Sequence, residues 1–267
     1  MKILLSICWF LITCFTGYSY LQAQNIIKQG TLVIAHRGAS AYAPENTIAS
    51  ARLGWELGAD AVEVDVHLSA DYKIVVIHDS NTGRISGEMM AVSETSLDNL
   101  KTLDVGSWKD EKYKDERIPT LHEIVDLIPD GKKLVVEIKS DIRLVPVLER
   151  EFKNDPKLDQ LIFIAFNYET IKAVKQLIPE NKAFWLSSRF SEPLSTVLQH
   201  VKNDGLDGVD LHYSLITPEL MDYAKELLLE VHCWTVDDLV KAKELSKLGV
   251  NSITTNIPDK ILDILHR

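Results

Sequence analysis

The sequence predicts an α/β protein with the TIM (β/α)8 barrel fold, on three observations. Short runs of β-branched residues alternate with amphipathic stretches along most of the 267 residues, which is typical of parallel strands connected by helices. Eight such units follow one another, the number that closes a barrel. Polar side chains collect where strands end, and barrels build their active sites at that end. A doubly wound open sheet is the alternative, but no Gly-x-Gly-x-x-Gly motif follows the first strand.

The predicted elements run in order along the chain. The barrel strands are Leu32–Ala35, Ala61–Val66, Leu134–Ile138, Leu161–Ala165, Ala183–Leu186, Gly208–Leu211, Glu230–Trp234 and Ser252–Thr254. The helices between them are Thr47–Leu57, Leu144–Phe152, Glu169–Ile178, Pro193–Lys202, Pro218–Leu228, Val236–Leu248 and Pro258–Leu265. The longer gap after the second strand holds an extra strand, Ile74–Ile77, and helical stretches near Ser96–Leu103 and Leu121–Ile128.

The composition describes a folded globular protein with an acidic balance. The chain has 29 Lys and Arg residues against 39 Asp and Glu residues, which gives a net charge of −10. This charge excludes bulk nucleic-acid binding, which needs clustered basic residues. It leaves open a small substrate that carries phosphate, because a few well-placed cations or one metal ion are enough to bind it.

The N-terminus has the pattern of an export signal. Lys2 precedes the apolar run Ile3–Phe15, and Leu21–Ala23 ends in a small residue before a plausible cleavage point. The run is shorter than the ~20 residues of a membrane-spanning helix. We therefore predict a signal peptide over residues 1–23, no stable membrane span, and a periplasmic or extracellular protein whose single domain covers residues 24–267.

A lipoprotein is the alternative for this segment. Leu11–Cys14 loosely resembles a lipobox, although Thr13 before the cysteine is atypical. Cleavage after Ala23 would leave Cys233 as the only cysteine, so the mature protein would have no intramolecular disulfide.

Three acidic residues lie on neighbouring predicted strands. Glu63 and Asp65 are two apart, so their side chains point to one face, and Glu137 comes from the next barrel strand. Grouped carboxylates repel one another unless a cation neutralises them, and oxygen ligands suit one Mg²⁺ or Ca²⁺ ion. The alternative is that these carboxylates form buried ion pairs with Arg37 and Lys139.

Two histidines follow apolar runs at strand ends. His36 and His78 would titrate near neutral pH and are candidates for a proton donor and acceptor pair. Arg37 and Lys139 are candidates for binding phosphate oxygens, with a rim salt bridge as the alternative. The remaining histidines are expected to be structural: His67, His122, His200, His212, His232 and His266.

Four further residues have two interpretations each. Glu45 would orient Arg37 or favour the N-terminus of the next helix, and Asn46 would donate to the ligands or cap that helix. Phe166 and Trp234 would wall an apolar side of the pocket or belong to the core.

Seven motifs in this order resemble the glycerophosphodiester phosphodiesterase family, and together they cover residues 31 to 260. They are His36-Arg37-Gly38, Pro44-Glu45-Asn46-Thr47, Glu63-Val64-Asp65, His78-Asp79, Ile118-Pro119-Thr120-Leu121, Glu137-Ile138-Lys139 and Trp234-Thr235-Val236. The resemblance implies a TIM-barrel hydrolase that cleaves glycerophosphodiesters into glycerol 3-phosphate and an alcohol, with a small-molecule substrate and one divalent metal.

The resemblance also implies roles for individual residues. Glu63, Asp65 and Glu137 would bind Mg²⁺ or Ca²⁺, and His36 and His78 would be the acid/base pair. Arg37 and Lys139 would bind the phosphate. Phe166 and Trp234 would line the glycerol pocket. The segment at about 80–119 would be the family's insertion over the barrel mouth.

Two positions depart from the family pattern. Ala165 stands where a Ser often precedes the Phe, and Asn256 stands where an Asp often ends the last strand. We expect neither residue to contact the histidine pair or the metal ligands, so both should affect substrate fit rather than activity.

Other interpretations of the same residues remain open. The attacking oxygen would belong to a water at the metal or to the substrate's own glycerol hydroxyl, and either histidine would be the acid. A metal-independent phosphoinositide-type lyase on the same fold would not need the three carboxylates. A non-catalytic module that binds phosphorylated headgroups would keep Arg37 and Lys139 but would not need both histidines and all three carboxylates.

Overall fold

The computed structural model of the chain describes residues 30–140 and 142–265. The predicted signal peptide, the lipobox-like segment and His266 lie outside these residues. Among the described helices, none combines the length and apolar character that crossing a bilayer requires.

Eight parallel strands form a closed barrel, which confirms the predicted fold. They are Leu32–Ala35 (β1), Ala61–Leu68 (β2), Lys133–Ile138 (β4), Leu161–Ala165 (β5), Lys182–Ser187 (β6), Gly208–His212 (β7), Glu230–Trp234 (β8) and Ser252–Thr255 (β9). The short strand Ile74–Val76 (β3) pairs antiparallel with β2. Pairing of β1 with both β2 and β9 closes the barrel.

Most helices pack against the outer faces of the barrel strands, whereas the short helices Gly83–Ser86 and Leu97–Leu100 belong to the segment between β3 and β4. The helices are Ile48–Glu56, Gly83–Ser86, Leu97–Leu100, Leu121–Val125, Leu144–Phe152, Tyr168–Leu177, Leu194–Asn203, Pro218–Glu226, Leu239–Leu248 and Pro258–Leu265. Several begin at a side-chain cap of the expected type: the hydroxyl of Thr47 accepts from the Ser50 amide, and Asp238 accepts from two amides of its helix.

Several predicted helices are longer than the observed ones; the helix predicted over Leu121–Ile128, for example, ends at Val125. The predicted helix Val236–Leu248 begins only at Leu239, because Asp238 caps it and Asp237 instead bonds the loop after β9. The stretch predicted near Ser96–Leu103 is a single turn, Leu97–Leu100.

The two-residue alternation of β2 places its polar side chains inside the barrel. Val62, Val64 and Val66 join the large apolar core beneath the helices. Ala61 belongs to a smaller cluster inside the barrel, so the alternating set that includes Glu63 and Asp65 also faces the interior. The two carboxylates therefore face the barrel interior, on the same side as Ala61, and lie toward the C-terminal end of the strand.

The segment between β3 and β4 has an apolar cluster of its own and lies beside the mouth. Its buried members are Val75, Ile77, Ile85, Val92, Leu100, Leu103, Val105 and Ile118. The Lys109 ammonium donates to the Ser40 carbonyl at 2.8 Å, and the Tyr113 hydroxyl donates to the Tyr42 carbonyl at 3.2 Å. These bonds fasten the segment to the loop that follows β1.

Candidate active site

Three carboxylates meet at the barrel mouth. Glu63, Asp65 and Glu137 are buried, and one oxygen from each lies within 4.8 Å of the other two. The strand register explains this grouping, because Asp65 of β2 pairs directly with Glu137 of β4. The oxygens Oε1 of Glu63, Oδ1 of Asp65 and Oε1 of Glu137 are buried without a hydrogen bond.

Two cations flank the carboxylates. The Lys139 ammonium lies 2.6 Å from Glu137 and 3.2 Å from Asp65, in poor hydrogen-bond geometry, and Arg37 Nε lies 3.2 Å from Asp65. Both alternatives raised by the sequence thus have structural support, since the carboxylates converge and also pair with the two cations.

The crowding is visible in the pKa values of the acids. Burial raises the pKa of Glu63 well above its ordinary value, and the charges of Asp65 and Glu137 add to that effect. Burial and Asp65 likewise raise the pKa of Glu137 to about 7. For Asp65 burial acts in the same direction, but Lys139 and Arg37 outweigh it and lower its pKa to about 2. Three buried carboxylates that repel in this way are suited to binding a cation.

The loop after β1 holds its residues in uncommon backbone conformations. Arg37 and Asn46 have φ of 53° and 57°, the left-handed region that few residues other than glycine adopt. In this conformation the Arg37 backbone amide donates a hydrogen bond to the Glu63 carboxylate at 2.8 Å. Asn46 donates to the Asp65 carboxylate at 2.7 Å and accepts from the Asp65 amide at 3.0 Å. Asn46 therefore holds a carboxylate in place, while Thr47 is the helix cap.

Glu45 contacts two arginines. Its carboxylate accepts from Arg37 Nη1 at 2.9 Å, as one interpretation of the sequence predicted. It also accepts from Arg84 at 2.7 and 3.0 Å through both of its oxygens. Burial opposes ionisation, but bonds from Arg84 and the charge of Arg37 lower the pKa of Glu45.

The surroundings of His36 correct one expectation from the sequence. Asn256, expected to be remote from the histidines, lies with its Oδ1 2.8 Å from His36 Nδ1. The reason is the register of β1 and β9: Ala35 pairs with Thr255, so the residues that follow these two lie side by side. Ala165 is buried in the outer core, and no described contact places it in the site.

The Asn256 amide also fixes which nitrogen of His36 carries a proton. Asn256 Nδ2 donates to the Asp237 carboxylate at 2.6 Å, so its oxygen faces His36 and the Ser40 hydroxyl. Nδ1 of His36 must then be the donor, which leaves the lone pair of the neutral ring on Nε2. Burial, with the charge of Arg37 next, lowers the pKa of His36 below its ordinary value.

His78 has an anionic partner instead. Its Nδ1 lies 2.8 Å from the Asp79 carboxylate, whose other oxygen accepts from Arg84 Nε at 2.6 Å. Burial opposes ionisation of Asp79, but Arg84 and His78 lower its pKa. A carboxylate here can pair with His78 when the ring carries both of its protons.

Aromatic side chains form one wall of the mouth. Phe166 and Trp234 pack edge to face with ring centroids 5.5 Å apart, and Lys139 Nζ lies 5.8 Å from the Phe166 ring. Phe166 is 45% exposed, so it belongs to the surface of the mouth rather than to the core. His212, expected to be structural, packs against Trp234 at the same wall.

Sequence reasoning missed Arg84 and Asp237 and gave Asp79 no role. Asp79 and Arg84 sit within six residues after His78, a proximity that hinted at shared contacts. Asp237 had no such signal, because its partner Asn256 is 19 residues away in the sequence.

Comparison with known proteins decides the family. The sequence model of the glycerophosphoryl diester phosphodiesterase family matches residues 36–260. The chain belongs to this family. It is accordingly a phosphoric diester hydrolase, and the resemblance predicted from its seven motifs is confirmed.

Individual relatives are similar to this chain over most of their length. The glycerophosphodiester phosphodiesterase of Caldanaerobacter subterraneus subsp. tengcongensis is 36% identical over 89% of this chain and 98% of its own. The glycerophosphodiester phosphodiesterase of Bacillus subtilis is 28% identical over 85% and 84%. A phosphodiesterase from Oleispira antarctica, solved with the product sn-glycerol-3-phosphate, has a TM-score of 0.80 at 31% identity and covers 91% of this chain and 99% of its own.

Proposed function

We propose that the protein is a metal-dependent enzyme that hydrolyses glycerophosphodiesters to glycerol 3-phosphate and an alcohol. The observation that carries this proposal is the convergence of three buried carboxylates, each of which offers an oxygen within 4.8 Å of the other two. The glycerol 3-phosphate bound to the Oleispira relative supports the choice of substrate.

The residues present fit one hard divalent cation. Glu63, Asp65 and Glu137 offer oxygen atoms close enough to share it, and among the described residues no cysteine joins this group, which favours Mg²⁺ or Ca²⁺. When bound, such an ion supplies positive charge and Lewis acidity toward phosphate oxygens.

Arg37 and Lys139 hold the phosphodiester. Both lie beside the carboxylates and both have a raised pKa, because the acids outweigh the effect of burial, so both stay charged. The guanidinium group binds two phosphate oxygens at once, and the ammonium group acts as a point charge. Phe166 and Trp234 exclude water from the adjoining glycerol moiety.

His36 is the base in this proposal. Its neutral ring, held by Asn256, presents Nε2 as an acceptor for the proton of the attacking oxygen. His78 is the acid in this proposal, because the Asp79 carboxylate 2.8 Å from its Nδ1 orients the ring so that its other nitrogen can give a proton to the leaving alkoxide.

An assay of purified protein with a panel of glycerophosphodiesters tests the function. We expect release of glycerol 3-phosphate, loss of activity in excess chelator, and recovery with added Mg²⁺ or Ca²⁺. Full activity in chelator would contradict metal dependence and favour the lyase alternative.

Substitution of each histidine tests the assigned pair. His36→Ala and His78→Ala should each lower kcat by roughly 10²–10⁴. His200→Ala, on the helix Leu194–Asn203, serves as the control and should retain normal turnover. Near-normal turnover of either catalytic variant would refute its assignment.

We also propose that the protein is exported to the periplasm or the extracellular space, on the evidence of the N-terminal apolar run alone. Mass spectrometry of protein recovered from the producing cells tests this. Cleavage near Ala23 would support a signal peptide, a lipidated Cys14 would show a lipoprotein, and an intact N-terminus in the cytoplasm would refute export.

A further inference from the structure

Arg84 lies on the short helix Gly83–Ser86 of the segment between β3 and β4, and it bonds two carboxylates at once. Its Nη2 and Nη1 donate to both oxygens of Glu45 at 2.7 and 3.0 Å, and its Nε donates to Asp79 at 2.6 Å. Each of these carboxylates also bonds a residue of the proposed chemistry. Glu45 accepts from Arg37, and Asp79 accepts from His78.

The result is a chain of five ionisable groups that passes through the segment. In order they are Arg37, Glu45, Arg84, Asp79 and His78. Arg84 is the middle member and is 45% exposed, so neither the core nor the carboxylate triad requires it. Its three hydrogen bonds instead connect Glu45, in the loop after β1, to Asp79, which bonds His78.

The charges show what this middle position does. Glu45 carries one negative charge, which it shares between two guanidinium groups. Without Arg84, Arg37 alone would neutralise Glu45 and would be less able to bind an anion. Without Arg84, Asp79 would also lose the bond that holds one of its oxygens, and with it the orientation of His78.

We propose that Arg84 is a positioning residue with two separate effects: through Glu45 it leaves the charge of Arg37 available to the phosphate, and through Asp79 it orients His78. This inference rests on the proposed function, and it assigns the segment between β3 and β4 a part in the chemistry. Arg84 itself touches neither metal ligand nor reacting atom.

Kinetics of Arg84→Ala test the proposal in the metal-loaded enzyme. We expect KM for a glycerophosphodiester to rise roughly 10-fold and kcat to fall roughly 10-fold, the size of coupling between groups in one network. Affinity for sn-glycerol 3-phosphate, measured by calorimetry, should fall by a similar factor. Arg84→Lys should restore only part of each loss. It keeps the positive charge, but one ammonium group cannot hold both carboxylates in the same geometry.

Two second-site backgrounds separate the effects. In Glu45→Gln the carboxylate charge is absent, so adding Arg84→Ala should change KM by less than threefold while still lowering kcat. In Asp79→Asn, adding Arg84→Ala should still raise KM but should no longer lower kcat. Equal effects of Arg84→Ala in the wild type and in both backgrounds would overturn the proposal.

Arg117→Ala is the matched control. Arg117 lies on the same segment but bonds only the backbone carbonyls of Lys114 and Glu116 among its described hydrogen bonds. Its substitution should leave KM and kcat within twofold of wild type. An Arg84→Ala protein that is folded and equally unchanged would refute the inference, whereas a wild-type protein that hydrolyses no glycerophosphodiester would refute the proposed function.

Discussion

Asn256 shows how one uncharged side chain sets the state of His36, the proposed base. Its amide nitrogen is committed to Asp237, so its oxygen can only accept from His36. A carboxylate at the same position would accept the same hydrogen bond but would add a negative charge. The choice between Asn and Asp here is therefore a choice of the pH range in which His36 remains neutral.

Asn256→Asp, made together with Asp237→Asn so that an amide rather than a carboxylate faces the new acid across the present 2.6 Å contact, should move the pH profile toward alkaline values. The added carboxylate stabilises the imidazolium form of His36 and raises its pKa, by roughly one unit for a charge in contact. Since the base works only when neutral, the acidic limb of kcat/KM should shift upward by about the same amount. Asn154→Asp, at an exposed position, adds the same charge away from the site. A limb that does not move in this double variant would contradict His36 as the base.

At the scale of elements, the loop after β1 depends on a close approach that only glycine permits. Gly38 has a φ of +78°, and a Cβ on it would lie 2.3 Å from the carbonyl carbon of Ser50. Ser50 belongs to the helix Ile48–Glu56, so the backbone of this helix packs directly against the loop that carries Arg37.

Gly38→Ala should destabilise the protein by about 2–4 kcal/mol, because backbone strain and overlap add. Gly87→Ala is the control: Gly87 has nearly the same φ, +77°, but open space around its Cβ position, and it should cost about 1 kcal/mol. Urea denaturation of both variants makes the comparison. Equal losses would show that the approach to Ser50 is not a constraint.

The alternation of strands was enough to predict the carboxylate triad but not its surroundings. Glu63 and Asp65 share a face by the two-residue period, and Glu137 follows on the next barrel strand, so sequence alone places all three together. The contacts of His36 with Asn256 and of Glu45 with Arg84 span 220 and 39 residues. They depend on strand register and on the path of an irregular segment, neither of which a hydrophobic pattern encodes.

At the scale of the whole molecule, the barrel interior contains a buried carboxylic acid that takes no part in the proposed chemistry. Asp210 of β7 is buried, and its Oδ1 has no hydrogen-bond partner. Burial raises its pKa from 3.8 to about 7, with His232 acting against the shift and Glu137 adding to it. Between these two pH values the folded protein keeps a proton that the unfolded chain releases, so Asp210 lowers stability as the pH rises.

Asp210→Asn should therefore stabilise the protein more at high pH than at low pH. We expect a gain of about 1–3 kcal/mol at pH 8 and little or none near pH 4. Chemical denaturation in the presence of chelator at the two pH values measures the difference and keeps metal binding out of the comparison. A gain of the same size at both would show that the ionisation of Asp210 is not its cause.

The closure of the barrel has a consequence for the newly made chain. His36 leaves the ribosome with the first strand, but the Asn256 that orients it comes only with the last one, after every other residue of the site. A nascent or C-terminally shortened chain can thus carry three carboxylates, two histidines and both phosphate-binding cations and still lack a correctly oriented base. In the proposed mechanism hydrolysis requires that the two ends of the fold have met, and activity of the enzyme would then report that synthesis and folding are complete.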